Sequence, residues 1–444
     1  MKKLLCFLSA CMAAVCFAEE FSAGDEGAES LKISVSEVRI SQNSISRLVT
    51  VSYELGDVPA IVTVDFLTNG VSIGEKNFNN VFGAVNRMVM QTNAVHTIHW
   101  QPSKSWSGNS GAEITAKVTT WDPADPPDYM SVSLGDKSVA PVSYYVSTNA
   151  LPGTLADDVY RTSRLLMRRI RAANVKWQMG ATEEDYKQAG SSATPKAYET
   201  AHYVTLTYDY FIGVYPVTQE QYRRMTRAAA LSGSYKGYAD SAFRPQSSLN
   251  YIALRGSGTS TDHNSLTSDS AIKKLRDFTG IDFDLPSDAE WEYACKAGTT
   301  WLLYSGEKFT DENVNKLGWV YGNSIYSDLN ERQTHAVGQK LPNPWGLYDM
   351  IGNTLEWCRD MHVEDLGADD VVDPVMTTGN NRVLRGFRFD RSWGNATATY
   401  RIGYANNLGT GNNTCGFRVM CPLTLKFPAP EVDSDGETTQ GEGE

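Results

Sequence analysis

The sequence predicts an α+β chain in which an all-β sandwich precedes a larger, irregular mixed domain, and three observations carry that reading. Between residues 31 and 121, apolar and polar residues alternate in short runs separated by Gly, Asn, Asp and Pro. Past Leu165 the alternation stops, Tyr, Trp and Gly become dense, and three helix starts are well signalled. A stiff polar stretch, Asp122-Pro-Ala-Asp-Pro-Pro127, divides the two regimes. A chain of 444 residues exceeds one ordinary domain, so two domains plus tails are expected.

The first eighteen residues read as an address. Lys2 and Lys3 form a basic start, Leu4 to Phe17 is almost wholly apolar, and Cys16-Phe17-Ala18 places small residues at the two cleavage-determining positions. This is the signal-peptide pattern, too short to favour a membrane span. Leu8-Ser9-Ala10-Cys11 resembles a bacterial lipoprotein box, but the apolar run continues past Cys11, where a lipidated cysteine would close it. Cleavage after Ala18 is therefore the expectation, with lipidation at Cys11 as the other reading. The protein is expected to be exported: periplasmic, on the cell surface or secreted. No later stretch holds the ~18 unbroken apolar residues of a spanning helix.

Residues 19 to 30 form an acidic lead-in. The runs Leu31–Val35, Leu48–Tyr53, Ala60–Phe66, His96–Trp100 and Ile114–Trp121 then alternate with period two, each long enough for one strand. Short strands at this spacing predict a small immunoglobulin-like β-sandwich over 30–122. Residues 123–165 read as a linker and transitional segment.

The larger domain is predicted over 166–422. Thr218-Gln-Glu-Gln221 is a capping box that opens a helix through Met225 and Ala230. Ser287-Asp-Ala-Glu290 opens another, after Pro286, which closes at Gly298. Ser268 to Thr279, ending at Gly280, carries Ile272 and Leu275 on one face. Loops and short strands fill the remainder. From 423 to 444 the chain is Pro-, Gly- and acid-rich, with no base after Lys426, and reads as a disordered tail.

Charge narrows the partners. Without Lys2 and Lys3 the chain carries 52 acids against 38 bases, a net charge of −14. That acidity argues against nucleic acid, which is bound by surplus Lys and Arg. Of seven cysteines, Cys295, Cys358, Cys415 and Cys421 lie beyond the leader. In an oxidising compartment they allow three disulfide pairings, and buried free thiols are the other reading.

Four segments occur in an order that points to a family. They are Phe211–Tyr222, Phe283–Ala294, Val337-Gly338 with Asn343–Trp357, and Arg382–Gly386 continuing through Tyr400-Arg401 to Gly416–Val419. Together they resemble the sulfatase-modifying-factor (formylglycine-generating enzyme) family, over about Met167 to Pro422, with Gln178-Met-Gly180 in the place of the family's opening turn. The resemblance implies a compact fold distantly related to C-type lectins and poor in regular secondary structure. The residues make physical sense by themselves. Gly346, Gly352, Gly386 and Gly416 suit tight turns or close approach, and Trp291, Trp345, Trp357 and Tyr348 supply buried area.

Asp349 and Glu356 bracket a Gly-Asn turn, where carboxylates and carbonyls offer the hard oxygens that calcium prefers. The resemblance implies calcium at Asp349, Gly352, Thr354 and Glu356, through backbone carbonyls at the middle two. The alternative is a turn-capping Asp349 and a Glu356 paired with a base such as Arg359. A second implied calcium site includes Asn313 and Val314, although its partner loop, Asn323 to Arg332, departs from the family's pattern.

The catalytic side of the resemblance is incomplete. Members of the family oxidise a substrate cysteine to formylglycine with oxygen and copper, and copper(I) binds a pair of thiolates. The interval that would carry that pair, Gly386 to Tyr400, contains no cysteine. Cys415 and Cys421, six apart on a strand at ~3.3 Å per residue, are too distant to chelate one ion. A second branch of relatives uses a three-histidine iron site, and none of the six histidines shows its spacing; His96 and His99 fall on opposite faces of a strand. No catalytic residue is therefore assigned, and copper is not expected.

The segment that the family uses as a peptide groove is rich in recognition residues: Arg388, Phe389, Asp390, Arg391, Trp393, Asn395, Tyr404, Asn406 and Asn407. Arg388, Arg391, Trp393 and Asn395 are the ligand-binding candidates, with ordinary loop polarity as the alternative. The sequence thus predicts a non-catalytic, calcium-stabilised module that binds a peptide, protein or glycan. The second reading is a divergent oxidase of the same family acting on a protein thiol.

Overall fold

The computed structural model describes residues 33–109, 113–135, 142–234, 236–256, 265–326, 330–405 and 413–423. The leader (1–18) and, but for Leu423, the tail (423–444) lie outside the described residues, as do Asn406 and Asn407.

Two antiparallel sheets form the N-terminal sandwich. One runs Val35–Gln42, Val49–Leu55, Ala94–Trp100, Phe82–Gly83; the other centres on Ala60–Thr68, with Ile114–Trp121 on one side and Val71–Ser72 and Arg87–Val89 on the other. Alternation fixes the faces: Val49, Val51, Tyr53 and Leu55 point inward, where they meet Val62 and Phe66. Phe66 stacks on Trp100 with ring centroids 4.5 Å apart, which joins the sheets. Of the expected strand Leu31–Val35, Leu31 and Lys32 lie outside the described residues, and the first described strand is Val35–Gln42. It is an edge strand with an irregular register near Glu37, so most of its residues are exposed and its alternation is weak.

The segment 123–165 is not a linker. Tyr129–Ser133 and Val142–Tyr145 are strands of the main sheet, which continues through Arg164–Ile170, Tyr210–Gly213 and Met420–Pro422 in that order. Nor is Asp122–Pro127 a free hinge: Arg169 donates to the Pro126 carbonyl at 2.6 Å and pairs with Asp125. Met130, Ser131, Val132 and Ser133 are all buried. A central strand covered on both faces shows no alternation, which is why this one reads poorly from sequence.

A four-stranded sheet, Arg401–Tyr404, Arg382–Arg385, Leu355–Met361, Cys415–Gly416, carries the site region. Helix Asp288–Lys296, capped by Ser287 and Glu290 reciprocally, packs against it. Helix Gln219–Thr226 has the same capping box at Thr218. The third helix begins three residues later than read, at Ala271 behind the Ser270 cap, and closes on left-handed Gly280.

Candidate functional site

Strand Arg382–Arg385 hands the chain to a loop whose first residue, Gly386, sits at φ 82°. The following side chains open a cleft of about 500 Å³ lined by Arg388, Asp390, Arg391, Asn395, Tyr400 and Tyr404 among others. Arg388 is held in place: it donates to the Tyr404 hydroxyl at 2.9 Å and pairs with Asp390 at 2.7 Å. Arg391 is exposed and has no side-chain partner among the described residues, so it is the unneutralised cation of the cleft. Asn395 is exposed beside it. Tyr321, Phe387 and Ile402 supply apolar wall, and Phe387 meets Tyr400 edge-on at 5.0 Å.

Trp393 does not line this cleft. It lies on the 3₁₀ turn Trp393–Asn395, with its ring edge-on to Phe309 at 5.2 Å, and packs against the core of the larger domain. Phe389 is buried as well. In a one-turn helix, neighbours two apart face different ways, so Trp393 anchors the turn that presents Asn395.

The turn from Asp349 to Glu356 is built on left-handed residues: Asp349, Gly352 and Asn353 have φ of 54°, 80° and 60°. At Gly352 a Cβ would lie 2.4 Å from the Trp319 carbonyl, so only glycine fits. The Asp349 carboxylate accepts from Gly338 N at 2.7 Å and from Asn353 Nδ2 at 3.2 Å. Burial pushes its pKa up to about 6, against those hydrogen bonds. Glu356 is also fully buried. Its Oε2 accepts from Trp291 Nε1 at 2.7 Å and Arg418 Nε at 2.5 Å, and its Oε1 accepts from Arg418 Nη2 at 2.8 Å. Its base is therefore Arg418, while Arg359 pairs with Glu290.

These contacts allow a calcium ion to be tested against the donor set. A carboxylate oxygen has two lone-pair sites. Both on Glu356 Oε2 are taken, but Oε1 and each Asp349 oxygen keep one. The Gly352 and Thr354 carbonyls accept no hydrogen bond among the described residues. Two buried carboxylates against one Arg418 leave a negative excess that a cation would relieve. Each of these four residues thus keeps an oxygen open to a hard cation, while no group of three or more His, Cys, Asp and Glu side chains that could hold a metal converges among the described residues. At the second implied site Asn313 Oδ1 accepts from the Lys316 ammonium at 2.9 Å and the Val314 carbonyl accepts Gly318 N, so each keeps one lone-pair site.

A buried ionic network gathers on Arg385 and Arg401, the last and first residues of the strands that flank the cleft loop. Arg385 pairs with Asp288 and Glu292, and Arg401 reaches Asp288 at 2.9 Å. All four residues are buried. Asp360 accepts from Asp288 N, and burial together with the Asp288 charge pushes its pKa up to about 7. The four cysteines are free, buried thiols. Burial pushes Cys415 up to about 12 and the other three further, so all are held protonated.

A fold of short sheets and capped helices around a groove, with the Asp349–Glu356 turn behind it, defines a class, and sequence comparison agrees. The model of the sulfatase-modifying factor enzyme 1-like domain matches residues 170–422, and the chain belongs to that family. The serine/threonine-protein kinase pkn1 of Chlamydia pneumoniae is 33% identical over 139 residues, 30% of this chain and 20% of the kinase. The chaperone protein LppX of Paenibacillus barcinonensis is 27% identical over 203 residues, 39% of this chain and 70% of the chaperone. The formylglycine-generating enzyme of Bos taurus is 31% identical over 107 residues, 23% of this chain and 29% of the enzyme. The similarity thus spans only a fifth of the kinase and under a third of the cattle enzyme. The solved structure of Treponema denticola variable protein 1 superposes with a TM-score of 0.46 at 23% identity, over 58% of this chain and 95% of that one.

Proposed function

We propose that this protein is an exported, non-catalytic binding module on the sulfatase-modifying-factor fold, stabilised by calcium, with the Arg388–Asn395 cleft as its ligand site. One observation carries the reading. The loop that builds the cleft, Gly386 to Tyr400, holds recognition side chains and no cysteine. Exposed Arg391 and Asn395, flanked by Tyr400 and Tyr404, supply the charge, amide and aromatic faces that hot spots use. Relatives named as a kinase, a chaperone and a formylglycine-generating enzyme carry similar segments, so the domain by itself does not fix a chemistry.

Calcium at Asp349, Gly352, Thr354 and Glu356 supplies fixed positive charge beside the strand Leu355–Met361 and no reaction step. Export rests on the Leu4–Phe17 run and Ala18. No helix among the described residues is long and apolar enough to cross a membrane.

The test is capture on peptide and glycan arrays by the full chain and by Arg391→Ala. The reading expects a ligand class retained by the wild type and weakened at least about tenfold in the variant. Capture unaffected by Arg391→Ala and Asn395→Ala would place recognition elsewhere.

A further inference from the structure

A second cavity, of about 210 Å³, lies where the sandwich meets the larger domain. Its floor is the outer face of the sandwich's second sheet, read along three cross-strand pairs. Ile61 faces Trp121, Thr63 faces Thr119, and Asp65 faces Lys117. That face therefore grades from apolar to hydroxyl to charged. At the apolar end Ile61 enters the larger domain's core and Trp121 packs against it, which seals the cavity. Val146 and Ala150 of the larger domain line the opposite side, and Ser147 is pinned to Glu75 by a short hydrogen bond.

The polar groups here are underused. Asp65 and Lys117 sit directly opposite each other, yet they form no ion pair among the described residues; Asp65 Oδ1 instead accepts from the Ser72 hydroxyl at 2.7 Å. The Lys117 ammonium, the Thr119 hydroxyl and the Asn86 side-chain amide make no hydrogen bond among the described residues, although all three line the cavity. Facing donors and acceptors left open beside the Trp121 indole, whose Nε1 already donates to Thr63 Oγ1 at 2.8 Å, match a ligand with many hydroxyls and an apolar face. The volume falls below the ~300 Å³ at which drug-sized pockets begin, which limits the occupant to a single small ring.

We propose that this junction is a monosaccharide site, distinct from the Arg388–Asn395 cleft, in which Asp65, Lys117 and Asn86 bond ring hydroxyls and Trp121 lies against the sugar's apolar face. Because Val146 and Ala150 belong to the larger domain, occupancy would also brace the sandwich against it.

The experiment is saturation-transfer NMR on the full chain with glucose, galactose, mannose and N-acetylglucosamine, followed by titration of any binder. Asp65→Asn and Lys117→Met, both in partly or fully exposed side chains, should each weaken binding about tenfold. Thr119→Phe, which fills the cavity, should abolish it, while Arg391→Ala in the other cleft should leave it unchanged. No transfer to any of the four sugars would mean the cavity holds water alone, and would overturn the proposal. Transfer that survives Asp65→Asn and Lys117→Met but is lost in Arg391→Ala would overturn it too, by moving the sugar to the cleft.

Discussion

Replacing Arg418 by methionine should be among the most damaging single changes in the larger domain. The guanidinium is fully buried and makes two charge-assisted hydrogen bonds to the Glu356 carboxylate, from Nε to Oε2 at 2.5 Å and from Nη2 to Oε1 at 2.8 Å. It also donates to the Gly213 carbonyl at 2.8 Å and the Tyr348 carbonyl at 3.0 Å, tying the main sheet to the start of the Asp349–Glu356 turn. Methionine fills much of the volume but leaves Glu356 with Trp291 Nε1 as its one remaining donor, and strands two carbonyls. Removing one partner of a buried pair costs about 3–5 kcal/mol. Equilibrium urea unfolding in chelator, with the midpoint and slope compared with wild type, measures this directly. The double variant Arg418→Met/Glu356→Leu removes both charges together and should recover most of the loss. A single-variant loss below about 1 kcal/mol, or a double variant as unstable as the single, would refute the claim that Arg418 is needed to neutralise Glu356.

Three further outcomes are expected. Chelator should lower the melting temperature of the wild type, by the equivalent of about 2.7 kcal/mol if calcium stood at a hundred times its Kd, and Glu356→Ala should abolish that response. Arg391→Ala and Asn395→Ala, both at exposed positions, should change stability by no more than about 0.5 kcal/mol, whereas Trp393→Ala should cost about 2 kcal/mol or more because its ring packs on Phe309 and the core. Asp360, raised from 3.8 to about 7 by burial and Asp288, binds its proton more tightly in the folded than in the unfolded chain. Its contribution is therefore largest at low pH and declines as pH rises from about 4 to 7; in Asp360→Asn, melting measured across that window should lose this component of the slope.

Much of the fold was legible because its signals are local. Capping boxes at Thr218 and Ser287 start helices where they were read, since a hydroxyl and an acid or amide three residues apart satisfy each other's backbone donors in few other conformations. Alternation located Ala60–Thr68 and Ile114–Trp121 for the same reason: one face of each strand meets the sandwich core. Tyr129–Ser133 escaped because it is buried on both faces and its partners are remote in sequence. At the cleft, residue types identified Arg388, Arg391 and Asn395, but sequence adjacency also drew in Trp393. Only the turn's path shows that this side chain points to Phe309. Tyr321 reaches the same cleft from another segment, and nothing local in the sequence announces that convergence. The alternative reading, a Glu356 paired with a nearby base such as Arg359, had the right kind of partner, but the base, Arg418, comes from a distant segment.

The central claim, a family fold that binds without oxidising, is tested most directly by titrating the reduced full chain with copper(I) and then supplying oxygen and a cysteine-containing peptide. No tight one-to-one copper complex and no oxygen-dependent loss of the peptide thiol are expected, because the cleft loop has no cysteine and the four thiols among the described residues are buried and protonated. Stoichiometric tight copper binding, with conversion of the peptide cysteine to formylglycine, would contradict it.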